Sequence, residues 1–205
     1  MPTTWNPADL AGITLSNGNL TATSNTGGGA GVRAAAGLSS GKYYFEITST
    51  TASLAYLGLA LASASLTTGS TAGGVGVNMP GAIYVNGSAI GSSIPGRSAG
   101  AILCIAVDLS NTLIWFRTGA AGSWNALSGT ANDPATGTGG VNYRTAGGIL
   151  PAGALYPWFS SAFTNGQVMT ANFGASGFSG VVPAGFTAGF GPVAASAQAR
   201  VMVMA

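Results

Sequence analysis

The sequence predicts an all-β chain in which two antiparallel sheets pack face to face as a sandwich. Three observations predict it. Short apolar or alternating runs recur along the chain, separated by Gly, Asn, Ser and Pro. No segment sustains a helical period. The 205 residues, 47% of them apolar, suffice for one domain with a sizeable core.

The elements follow in order. Ile13–Ser16 and Asn19–Thr23 flank Asn17-Gly18, a hairpin signal because both turn positions favour positive φ. Val32–Ala36 reads as a strand. Lys42–Thr48 is rich in aromatic and β-branched residues, and Tyr56–Leu61 continues the pattern. Gly76–Asn78 and Ile83–Asn86 follow, the latter closing on Asn86-Gly87. Ile102–Asp108 is continuously apolar, as a strand buried on both faces is, and Leu113–Arg117 follows the turn at Ser110-Asn111. Leu155–Ser161, Val168–Phe173 and Val201–Met204 complete about a dozen strands, which favours two packed sheets. Ala194–Arg200 is expected to form at most one helical turn. The stretch 120–150 carries almost no strand signal; loops this long are unusual and often functional. The expected boundaries are a sandwich domain over 1–190, then a short linker and C-terminal strand over 191–205.

Charged residues make up 5% of the chain, against about 25% in an ordinary soluble domain. The surface is therefore expected to be neutral hydroxyl, amide and backbone. Too many apolar and aromatic residues are present for disorder. No run approaches the roughly 20 apolar residues of a spanning helix, so membrane insertion is not expected. The six cations are scattered, which removes the clustered phosphate contacts of nucleic-acid binding. Met1–Asn6 does not resemble a secretory signal.

The chemistry of catalysis is sparse. There is no histidine and one cysteine, Cys104, which reads as a small buried hydrophobe. Histidine-based nucleophile pairs and thiolate or imidazole metal sites are therefore excluded. Asp9 after Pro7, Asp108 before Ser110-Asn111, and Asp133 before Pro134 each suit a turn or capping role. Glu46 lies mid-strand and is expected to face outward and pair with a neighbouring strand. Gly27–Gly31 and Gly137–Gly140 lack the following helix of a phosphate loop. No catalytic residue, metal or cofactor is expected.

Several segments together resemble the SPRY (B30.2-like) family in its bacterial and phage form. They are Trp5-Asn6-Pro7, Leu15–Leu20, Gly41–Ile47, Leu57–Ala60, Ile105–Leu109 with Leu113–Phe116, Asp133–Gly140, Tyr156-Pro157 and Ala171–Gly174. The loop before Trp124-Asn125, Thr118–Ser123, is longer than in that pattern. The resemblance implies a concanavalin-like jelly-roll sandwich that binds partners through variable loops.

Three functions are expected to compete. The first is a phage virion component (capsid decoration, head-fibre or tail-fibre domain), released by lysis. Its partners would be other virion or surface proteins and further copies of itself, with Arg200, Val201, Met202, Val203 and Met204 as a segment for strand addition. The second is a free bacterial recognition module, cytoplasmic or at the cell surface, binding a protein or a host-surface glycan. Its candidate contacts are Trp124, Asn125, Asp133, Tyr143 and Arg144. The third is a structural or adhesive surface protein with no specific ligand.

Overall fold

The computed structural model describes residues 2–51, 54–68, 72–125, 132–161 and 164–192. The expected strand Val201–Met204, the helical turn Ala194–Arg200 and the strand-addition segment lie outside the described residues.

Fifteen strands are present among the described residues, in two sheets. The first sheet runs β1 (Trp5–Ala11), β4 (Ala30–Ala34), β13 (Leu155–Ser161), β6 (Ala55–Leu61), β7 (Gly74–Asn78), β8 (Ala82–Val85) and β9 (Ser88–Ser93). The second runs β12 (Val141–Asn142), β11 (Leu113–Thr118), β10 (Ile102–Asp108), β5 (Lys42–Ser49), β14 (Val168–Asn172), β3 (Thr21–Ser24) and β2 (Ile13–Ser16). All of these pairings are antiparallel. The exception is β15 (Thr187–Ala188), which lies parallel to β5 beside Tyr43 and Tyr44.

The two inner faces make one core. Leu57, Leu59, Val75, Val77, Ile83 and Phe159 come from the first sheet; Phe45, Ile47, Leu103, Ile105, Val107 and Phe116 from the second. Each is fully buried, and each such side chain contributes about 1.5–3 kcal/mol of transfer free energy. Alternation sends Tyr44, Glu46, Cys104, Ala106, Trp115 and Arg117 to the outer face of the second sheet.

Both hairpin turns form where expected: Asn17, Gly18 and Asn19 have φ of 51, 61 and 63°, and Asn86 and Gly87 have 46 and 85°. The first loop spans four residues, so β3 starts at Thr21 rather than Asn19. One expectation is corrected. Asp9 does not sit in a turn; it lies in β1 and pairs with Arg33 at 2.8 Å. An edge strand tolerates Pro7, and a register shift between Trp5 and Leu10 absorbs it. Ser88–Ser93 forms β9 despite one large apolar residue, because an edge strand packs little of its surface. Glu46 faces outward as expected and meets the Cys104 thiol of the neighbouring β10 at 3.9 Å, yet it is buried, and its short hydrogen bonds come from the Tyr44 hydroxyl and from loop backbone.

Candidate binding surface

A strap covers the outer face of the second sheet. It leaves β14 at Phe173, crosses the face and returns to the edge of β5 at β15. One transverse row of side chains grips it. Asn172, Glu46, Cys104 and Arg117 are register neighbours on β14, β5, β10 and β11. The Asn172 amide donates to the carbonyls of Ser176 and Gly177 and accepts from Gly174 N–H. Glu46 accepts from the amides of Ser179 and Gly180 at 3.0 and 2.7 Å, and from the Tyr44 hydroxyl at 2.7 Å. Arg117 donates to the Val181 carbonyl.

Under the strap lies a second apolar cluster of Tyr44, Cys104, Ala106, Trp115, Trp124 and Phe186. Burial pushes the Cys104 thiol up, so it behaves as the packed hydrophobe the sequence suggests. Burial and the bonds to Cys104 and Glu46 push the Tyr44 phenol up as well. Neither group is shifted toward its ionised form.

The long loop after β11 is built on Asn125. At φ 45°, its side chain accepts from Phe116 N–H at 2.8 Å and donates to the carbonyls of Ile114 and Gly139. Trp115 Nε1 donates to Thr138 O at 2.8 Å. Asp133 accepts from the Ala135 amide and closes its own turn, as expected of an Asp before Pro. These bonds pin the loop over β11 and β12. Where it meets β9, an open groove of about 530 Å³ is left beside the edge strands β9 and β12, lined by Ile90, Ser92, Asn125, Asn132, Asn142 and Gly140 among others. Among the described residues the lining carries no charged side chain. Asn142 accepts from the Thr112 hydroxyl and Arg144 N–H, and Asn132 donates to Trp124 O. Their remaining amide groups suit a neutral polar ligand that both donates and accepts.

Of the five loop residues expected to contact a partner, three are buried. Trp124 lies under the Arg117 guanidinium, 4.3 Å from its ring centroid, with Tyr44 at its edge. Asn125 holds backbone. Tyr143 packs in the main core, and burial pushes its phenol up to about 12. Asp133 and Arg144 are half-buried, Arg144 donating to Leu150 O and lying over Tyr143. Only Asn125 lines the groove. Sequence reading missed Ile90, Ser92, Asn132 and Asn142, which are separated by up to 52 positions and carry no motif. The one signal was the amide-rich character of the long loop.

Charge is withdrawn from the surface. Arg33, Glu46, Arg97, Asp108 and Arg117 are buried, and Asp9, Lys42, Asp133 and Arg144 are half-buried. None of the nine described charged residues is fully exposed. Lys42 and Asp108 pair at 3.2 Å. Burial would raise the Asp108 carboxyl, but its bonds to Asn111 and Lys42 outweigh that and hold it below the ordinary value.

No protein-family model matches the chain, and no curated protein matches it by sequence. Solved structures do. The SPRY domain of human HERC1 superposes with a TM-score of 0.60 at 16% identity, covering 82% of this chain and 96% of that one. The TRIM65 PSpry domain gives 0.58 at 17%, covering 84% and 92%. A human SPRY domain gives 0.55 at 17%, covering 82% and 98%. The chain thus has the SPRY-domain fold, a two-sheet antiparallel β-sandwich.

Proposed function

We propose that this chain is a non-catalytic binding module of SPRY fold that serves as a structural component of a phage particle, as a capsid decoration, head-fibre or tail-fibre domain. The observation that carries this reading is the withdrawal of charge from the surface. Bringing charged groups into an interface costs desolvation unless each finds a partner. A surface of hydroxyl, amide and backbone avoids that cost and lacks the repulsion that keeps molecules apart. Such a surface suits contact with further copies and with neighbouring virion proteins. The fold supports binding over catalysis by analogy alone.

The test is the mass of the purified chain by light scattering, together with mass spectrometry of source particles. A trimer or larger assembly found on the particle supports the proposal. A monomer absent from every particle overturns it.

The groove favours a second reading, a free recognition module for a neutral ligand such as an extended peptide or a glycan. Asn132 and Asn142 would then be contacts. Loss of a measured ligand in Asn142→Ala, with stability unchanged, would select this reading.

A further inference from the structure

Arg97 is the odd member of the charge inventory. It is buried at 6% exposure, and neither Nε nor Nη1 has a hydrogen-bond partner. Its third nitrogen, Nη2, meets only the Met79 sulfur at 3.5 Å, and sulfur is a weak acceptor. Each of the four Asp and Glu side chains is engaged elsewhere: Asp9 with Arg33, Glu46 with the strap, Asp108 with Lys42 and Asn111, Asp133 with the Ala135 amide. Burial lowers the guanidinium to about 10, so it keeps its charge at neutral pH.

A second unpartnered group lies just before β14. Arg97 lies just before β10, whose Ile102 pairs with Thr48 near the end of β5. Ser49 there pairs with Met169, and its hydroxyl meets the Met169 and Met79 sulfurs. Gln167, one inward position beyond Met169, is fully buried with both amide atoms unpartnered. A buried cation with open donors is strongly destabilising unless an acceptor is supplied.

We propose that this end of the sandwich is a site for a small monovalent anion, a halide or short carboxylate, held by the Arg97 guanidinium. The anion supplies the negative charge that the chain commits elsewhere. Because it binds only the folded state, it raises stability with its concentration.

Thermal unfolding of the full chain in increasing sodium bromide or formate, at constant ionic strength, tests this. A saturable rise in Tm that Arg97→Met loses is expected. An equal rise in Arg97→Met, or none in the wild type, overturns the proposal. Should Arg97→Met fail to fold, crystals of the wild-type chain grown in bromide decide alone. An anomalous peak within hydrogen-bond distance of Arg97 supports the site, and its absence there overturns it.

Discussion

The Glu46 carboxylate on β5 accepts the Gly180 backbone amide at 2.7 Å across 134 positions of sequence. One buried carboxylate thus ties the strap to the middle of the second sheet. With the Ser179 amide and the Tyr44 hydroxyl as further donors, it explains why an acidic residue stands between Phe45 and Ile47 in a strand that is otherwise core.

Glu46→Gln is expected to destabilise the chain by about 2–3 kcal/mol, the cost of weakening charge-assisted bonds and facing an amide donor with backbone donors. Urea unfolding measures it, and limited proteolysis should newly cut within residues 175–186. Unchanged stability would show that the strap is held by its apolar contacts instead.

Gly180 and Gly177 make a matched pair on the strap. A Cβ at Gly180 would stand 2.5 Å from the Tyr44 hydroxyl and 2.6 Å from Arg117 Nη2; one at Gly177 meets nothing within 4 Å. Gly180→Ala should cost about 1–3 kcal/mol through overpacking, whereas Gly177→Ala should stay within about 0.5 kcal/mol of wild type. Equal thermal shifts in the two variants would contradict the packing described.

Asn125→Ala removes one acceptor and one donor from the buried backbone of β11 and a further donor from the Gly139 carbonyl. A loss of about 2 kcal/mol or more is expected. Faster amide exchange at Phe116 should accompany it, since that N–H loses its acceptor. Protection at Phe116 equal to wild type would argue against Asn125 as the anchor of the loop.

Stability should depend on acid through Asp108. Its folded carboxyl lies below the ordinary value of 3.8, so the unfolded chain binds that proton more readily. The stabilisation is present above 3.8 and is lost as pH falls through the folded value. Asp108→Asn should be less stable than wild type at neutral pH, with the gap narrowing as pH drops below about 4. Parallel stability–pH curves for the two would refute the assignment.

Much of the fold was legible in the sequence, and for a local reason. Ile102–Asp108 and Leu155–Ser161 coincide with β10 and β13 to the residue; both are paired with a strand on each side, and the runs are mostly apolar and aromatic. The turns at Asn17-Gly18 and Asn86-Gly87 were legible because positive φ selects Asn and Gly. β1 and β9 were not, since edge strands tolerate proline, glycine and serine that elsewhere mark turns.

By itself, the sequence determined the β class, the hairpins, the central strands and the scarcity of charge and catalytic groups, all of which follow from residue type and short-range spacing. Only the tertiary structure decided where the charges and aromatics go. It turned Trp124, Asn125 and Tyr143 inward, set Glu46 beneath a strap, left Arg97 without an Asp or Glu partner, and opened a groove among Ile90, Ser92, Asn132 and Asn142. Those outcomes depend on which distant segments cross which sheet face, and long-range register has no signature in local composition.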